Sequence, residues 1–594
     1  MSYRAPVDDI MMALKCVSGR PGHGGDGGGL DADTVRSILA EAGRFAGDVL
    51  DPLNRIGDKA GCSLSGGAVT TPPGWGEAYH RFAEAGWPSL PCPEAYGGQD
   101  LPADVASAVG EIWNSANLAF GLLPLLTQGA IDAIAIGGSP ELKAAYLPRL
   151  VSGEWSGTMN LTEPQAGSDL SGITTRAVPQ PDGTYRLFGT KIFITYGEHD
   201  IVPNIIHLVL ARLPDAPAGT RGISLFLVPK VLVAADGSLG RHNDVVCAGI
   251  EHKLGIHGSP TCVMTFGETE GATGYLVGEA NRGLNTMFIM MNAARLAVGV
   301  QGVAIAERAT QRARLYAAER RQGRRTGAVA AAGDGPVAIA EHPDVRRMLI
   351  EMRAKTMAAR LICLATAAAS AAAHQGSSAE ARAAADARAA LLTPVAKAHA
   401  TDVGCEVASL GVQVHGGMGF VEETGAAQYY RDARILPIYE GTNGIQALDL
   451  VTRKLPLAGG AVVADHIADM LAMIGAAREP RQDGHFGRVV DRAGAALHAL
   501  DVATRFMGGA LATRPEQAMA GASAYLRLFA IATASAYLVH GARVESEAGG
   551  QTGVMASLAR FYGEQVAGEA LVLADVVVQG AGAVLDAPAS VVAP

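Results

Sequence analysis

Residues 413–446 read QVHGGMGFVEETGAAQYYRDARILPIYEGTNGIQ, and the organisation of the chain is worked out from them in both directions. The paired glycines 416 and 417 let backbone approach a ligand closely, because no Cβ stands in the way. Farther on, Glu440 ends a mostly apolar run and precedes Gly441, so a partly buried carboxylate with a raised pKa is one outcome. A solvated loop glutamate is the commoner outcome for such a pattern. Alone, the stretch leaves both open.

Upstream of it the pattern is helical from about residue 285 to 454, with long segments at 284–318, 344–376 and 380–411. In the first, Met287, Met291, Leu296, Val300 and Val303 fall close to one face. An Arg- and Gly-rich loop at 320–335 interrupts the series. Before residue 284 the character changes. Short apolar or β-branched runs at 185–196, 205–212, 222–228 and 261–266, bounded by Gly, Pro and Asp, predict strands. From 31 to about 151 the pattern is again helical, preceded by a glycine-rich loop at 19–29. Beyond Pro456 come roughly four more helical segments. The order α, β, α, α lacks alternating βαβ units, which argues against a doubly wound nucleotide fold.

Two more stretches sit where strands begin. Leu161 to Asp169, LTEPQAGSD, offers small hydroxyls and a glycine whose backbone N–H groups can meet a cofactor, though an ordinary turn reads the same way. Gly189 to Gly197, GTKIFITYG, is a strand that puts Phe193 and Thr195 on one face, and a half-buried structural strand fits equally.

Composition narrows the field. A chain of 594 residues with 49% hydrophobic residues is a multi-domain globular protein, and its Ala and Gly with only 5% aromatics point to closely packed helices. A net charge of −10 argues against nucleic acid and acidic membranes as partners. Seven scattered cysteines without a CxxC pair fit free thiols in a reducing compartment. His252 and His257 lie in a turn-rich segment and predict no metal site. The N-terminus carries no signal pattern, and no segment approaches the roughly 20 apolar residues of a membrane span. The expectation is a cytoplasmic protein with no membrane span. No GxGxxG follows a strand, which sets aside a nicotinamide enzyme.

Taken together, the motifs resemble the acyl-CoA dehydrogenase family, in that family's order, from about residue 85 to 455. They are TEPQAGSD (162–169), KIFIT (191–195), LVGEANRGL (276–284), AERRQG (318–323), QVHGGMGF (413–420) and YRDARILPIYEGTNGIQ (430–446). The resemblance implies an α+β fold in four parts. These are a helical N-terminal domain (1–155), a central β-barrel-like domain (156–278), a helical bundle (279–455) and an extra C-terminal helical domain (456–594).

It also implies FAD as cofactor, an acyl-CoA substrate, and Glu440 as the base that takes the α-proton while the β-hydride passes to flavin N5. Position by position, Leu161, Thr162 and Ser168 should lie along the flavin, with Ser168 also near the CoA chain. Phe193, Ile194 and Thr195 should cover the ring, although many relatives have Trp in place of Phe193. Arg320, Gln413, Gly416 and Gly417 should reach the FAD of a neighbouring subunit, and Thr442 and Asn443 should contact FAD beside the base. Asn292, Arg295, Tyr439 and Gly441 are expected at the substrate. Asn292 replaces a common Asp, Pro343 stands where many relatives have Gln, and the loop after Arg320 is long, so these contacts are the altered ones. An electron-transfer flavoprotein is the expected acceptor. Length and further motifs resemble a long bacterial branch acting on methylthiopropanoyl-CoA or on medium- and long-chain acyl-CoAs. An acyl-CoA oxidase and an inactive scaffold relative are the alternatives. The C-terminal block, apolar at Val462, Ile467, Leu471 and Ile474, should bury against the chain's own bundle and leave a homodimer.

Overall fold

The computed structural model describes residues 3–18, 30–324, 335–477, 484–549 and 553–593. The expected glycine-rich loop at 19–29 and residues 325–334 of the long loop lie outside the described residues. The chain packs into two units: Arg44–Pro102 with Ala116–Ala297, and Tyr3–Gly43 with Ala103–Ser115 and Val298–Pro594.

The first unit is built on an eight-stranded sheet. Its strands Ile205–Arg212 and Ile223–Pro229 are antiparallel neighbours, with Leu208 opposite Leu227. Both are buried on both faces, which is why they read as mostly apolar runs, with His207 and Ser224 as the inner exceptions. Ile206, Leu208, Leu225 and Leu227 enter one core, and Val209, Ala211, Phe226 and Val228 the other. The predicted strands at 185–196 and 261–266 form as Tyr185–Thr195 and Thr261–Phe266.

Strand Ser156–Asn160, parallel to Ile205–Arg212, was not expected. It is wholly buried and yet polar, because its polar side chains find partners on neighbouring segments: Ser156 on His199 (3.0 Å), Thr158 on the Thr195 carbonyl (2.7 Å) and the Asn160 amide nitrogen on His207 (3.3 Å). The helical pattern read from 31 to 151 is likewise broken by a hairpin, Ser63–Ser65 with Ala68–Thr70.

The second unit is helical. Pro343–Gln375 and Ala379–His415 are its long neighbours, joined by a short turn capped at Ser378. The latter helix runs against residues 298–319 of Gly283–Glu319 through glycines: a Cβ on Gly302 would stand 2.3 Å from the Ala400 carbonyl. Backbones touch there, as the small-residue composition predicts. Arg360, fully enclosed, donates to both oxygens of Glu111 (2.7 and 3.0 Å) and to Glu307 (2.8 Å). The N-terminal helix Val7–Ser18 buries Ile10, Ala13, Leu14 and Cys16 among Pro343–Gln375 and Ala522–Glu547.

Ala522–Glu547 lies against Pro343–Gln375 and Ala379–His415, so the C-terminal block does bury against its own bundle. In helix Ala461–Ala476 the buried stripe is Val463, Ile467, Met470 and Ile474. The expected Leu471 is instead 44% exposed, one position off the stripe.

The expectation that no segment reaches membrane length is corrected. Among the described residues, five helices have the length and apolarity of a crossing. In four of them at least 67% of the window is buried inside the protein; in Leu457–Ala476 the share is 28%.

Candidate active site

In the sheet unit, the LTEPQAGSD turn is fastened by a buried ion pair. Glu163 accepts from Lys191 (2.8 Å), from the N–H and hydroxyl of Thr174 (2.7 and 2.8 Å), from those of Thr175 (3.0 and 2.6 Å), and from Gln165 (2.7 Å). Burial works to raise this carboxyl, but the Lys191 charge and the hydrogen bonds outweigh it and hold the group at about 2. Burial pulls Lys191 down to about 8. Both directions leave the pair ionised at neutral pH. Lys191 also holds the Leu161 carbonyl (3.0 Å), and the Ile192 N–H bonds the Thr162 carbonyl (2.9 Å). Leu161 and Thr162 are thereby fixed beside the strand carrying Phe193, and both are half-buried, while Ser168 is exposed. Neither Glu163 nor Lys191 was singled out from sequence, although both stand inside quoted motifs.

A bulge opposite Val263 gives Phe193 a φ of 60° and turns its ring outward, 59% exposed. Thr195 is half-buried. Ile194 points into the core and offers a ligand its main chain only. On helix Gly283–Glu319, exposed Asn292 accepts from Arg295 (3.4 Å), whose body is buried.

In the helical unit, Gln413, Gly416 and Gly417 follow one another at the exposed end of Ala379–His415. Gly416 adopts φ 60°, and a Cβ at either glycine would meet nothing within 4 Å, so open space adjoins the turn. Arg320 is exposed, its main chain tied to Tyr316 and Ile339. Met418, Phe420 (89% exposed), Val421 and Tyr430 form an exposed apolar group in the same region of sequence.

Glu440 is half-buried and sits at φ 54°, followed by Gly441 at φ 83°. Two consecutive left-handed residues are costly for a glutamate and easy only for the glycine. The turn is held from below. Gln446, enclosed in the short helix Asn443–Asp449, donates to the Glu440 carbonyl (3.0 Å) and to that of Gly441 (3.3 Å). Lys397, fully buried, donates to the Gly441 carbonyl (2.9 Å) and to Asn443 Oδ1 (3.0 Å).

Asn443 in turn donates to Thr401 (3.0 Å), Asp402 (2.8 Å) and the Ala398 carbonyl (3.1 Å), which commits its side chain to the neighbouring helix. Thr442 caps the short helix through the Ile445 N–H (3.3 Å). Tyr439 donates to Gln301, itself bonded to Asn114 (3.1 Å); burial pushes its phenol well up, and the neighbouring Glu440 charge adds to this. Lys397 and Gln446 escaped the sequence reading, since a buried lysine looks like a surface one until its surroundings are known.

Family models described as acyl-CoA dehydrogenase N-terminal, middle and C-terminal domains match residues 34–154, 158–269 and 281–455. A fourth, described as acetyl-CoA dehydrogenase C-terminal like, matches 463–588. The chain is 54% identical over 474 residues to a 3-methylmercaptopropionyl-CoA dehydrogenase of Ruegeria pomeroyi, covering 80% of this chain and 79% of the relative. It is 35% identical over 494 residues, 79% and 78% of the two chains, to the broad-specificity linear acyl-CoA dehydrogenase FadE5 of Mycobacterium tuberculosis. Its fold matches that of Caenorhabditis elegans ACDH-11, solved in complex with C11-CoA, at a TM-score of 0.77 and 21% identity, over 95% and 92% of the chains.

Proposed function

Since the chain belongs to the acyl-CoA dehydrogenase family of oxidoreductases, we propose that Glu440 is the base that removes the α-proton of a bound acyl-CoA thioester. The observation that carries this is the turn itself. A glutamate is kept at φ 54°, a conformation costly for it, by three hydrogen bonds to the carbonyls of residues 440 and 441.

The residues present fit FAD. Phe193 offers an exposed aromatic face on a bulge, with half-buried Leu161, Thr162 and Thr195 in the same unit, and the Gly416–Gly417 turn borders open space. Leu161, Thr162, Ser168, Phe193, Thr195 and the main chain of Ile194 would hold it on the sheet unit. On the helical unit these would be Thr442, the main chain of Asn443 and, from a second copy, Arg320, Gln413, Gly416 and Gly417. When bound, FAD supplies a two-electron acceptor for the hydride leaving the β-carbon. The chain's own work is to orient the thioester and to take the proton. The N–H of Glu440 donates to the thioester carbonyl, where charge develops as the α-proton leaves, and the carboxylate receives that proton. Arg295 and Ser168 serve the CoA chain.

The substrate we favour is 3-(methylthio)propanoyl-CoA, because the relative at 54% identity bears that activity in its name; medium- and long-chain acyl-CoAs come second. The electron acceptor is an electron-transfer flavoprotein, and the assembly a homodimer built on the exposed Met418–Phe420 region.

Glu440→Gln keeps the shape and removes the base. Expected are normal FAD content and thioester binding, with turnover lowered at least ~10²–10⁴-fold in anaerobic flavin bleaching by acyl-CoAs. Near-normal turnover would assign the base to another carboxylate.

A further inference from the structure

A fully buried lysine is uncommon, and the proposed mechanism gives Lys397 no part. Its position is nevertheless specific. It projects from the middle of Ala379–His415 to the peptide that follows Glu440, and its ammonium bonds the Gly441 carbonyl and Asn443 Oδ1, on either side of Thr442. Asp402, one turn along the same helix, accepts from Asn443 and is raised by burial. Lys397 therefore reaches the loop both directly and through the asparagine that anchors it.

The geometry shows what is being held. With Glu440 and Gly441 both left-handed, the two peptides 440–441 and 441–442 turn their carbonyls to the same inner side. Gln446 takes the first, and Lys397, with a share from Gln446, takes the second. A Cβ on Gly441 would stand 2.9 Å from Gln446 Nε2, so the loop is packed against its holders as well as bonded to them. Rotation of the 440–441 peptide changes ψ of Glu440 and φ of Gly441, and rotation of the 441–442 peptide changes ψ of Gly441, so either motion reshapes the turn that carries the glutamate. An ammonium suits the task, because its three donors bridge two acceptors from different directions.

We infer that Lys397 is a positioning residue for proton abstraction: through the Gly441 carbonyl and Asn443 it locks the left-handed turn that aims Glu440. This rests on Glu440 being the base. Lys397 touches neither substrate nor reacting atoms; it acts through the turn. Its loss lets the 441–442 peptide rotate, and displacement of the base by about 1 Å costs on the order of 10²-fold in rate.

The test uses holoenzyme and three variants, Lys397→Met, Lys397→Gln and Glu440→Gln, with 3-(methylthio)propanoyl-CoA and butanoyl-CoA, each unlabelled and α-deuterated. FAD per chain, KM, kcat and the α-deuterium isotope effect are read. For Lys397→Met the expectation is FAD content and KM within about 3-fold of the parent, kcat lower by about 10- to 100-fold, and a larger isotope effect. The isotope effect grows because proton removal becomes the slow step. Lys397→Gln, which keeps a donor, should recover part of kcat, and it decides the matter if the methionine variant does not fold.

A kcat and isotope effect unchanged from the parent, or a kcat that falls only in step with lost FAD, would overturn the inference. Glu440→Gln separates the two failures. If it is inactive while Lys397→Met is normal, only the role of Lys397 falls; if it turns over normally, the base assignment falls and takes this inference with it.

Discussion

Glu163→Gln is the perturbation that most directly tests what holds the sheet half of the site. The substitution is nearly isosteric, but it places an NH2 among donors and leaves Lys191 buried without its counter-charge. The carboxyl lies at about 2 against an ordinary value near 4.5, and at 1.36 kcal/mol per pH unit this is about 3 kcal/mol. Breaking one partner of a buried pair costs about 3–5 kcal/mol on general grounds.

The loss is local, and peptide-resolved hydrogen exchange is the fitting assay. About 3 kcal/mol corresponds to exchange roughly 100-fold faster in residues 161–176. The sign with pH follows from the depressed value: the stabilisation is complete above about 4.5 and fades as pH falls toward about 2. Adding Lys191→Met to Glu163→Gln should recover much of the loss, since an apolar replacement of both charges approaches neutrality. Unchanged protection in Glu163→Gln would refute the idea that the pair fastens the turn.

Arg360→Met leaves Glu111 and Glu307 buried together and should cost about 3–5 kcal/mol in denaturant unfolding of the helical unit; a loss under about 1 kcal/mol would mean that the network is dispensable. Glu111→Gln should cost less, because Glu307 still faces the guanidinium. Light scattering should give the mass of a dimer for the intact protein, and a stable tetramer would refute the covering role of residues 456–594.

The sequence is legible where a pattern is carried by many residues. Ile205–Arg212 and Ile223–Pro229 declare themselves because burial on both faces keeps them apolar but for His207, Ser224 and the terminal Arg212. Ser156–Asn160 is equally buried and passed unseen, because its hydroxyls and amide find partners 35 or more residues away. The same holds at the site. Glu440, Gly416 and Phe193 stand in motifs that can be recognised, but the bulge that turns Phe193 outward arises in its ladder with Thr261–Phe266, a strand distant in sequence. Glu163 lies inside a quoted motif and still gave no sign of its role, since its partners are Thr174, Thr175 and Lys191. Lys397 and Gln446 act on carbonyls, which carry no sequence identity at all.

Helix Val7–Ser18 packs on Ala522–Glu547, which begins some 500 residues later in the chain. At about 5–20 residues per second, synthesis of that interval takes roughly 25–100 s. Through that wait Ile10, Ala13 and Leu14 have nothing from Ala522–Glu547 to pack on, while the sheet unit can already close on contacts made within residues 44–297. The helical unit is thus completed only after every residue of the sheet unit has been made.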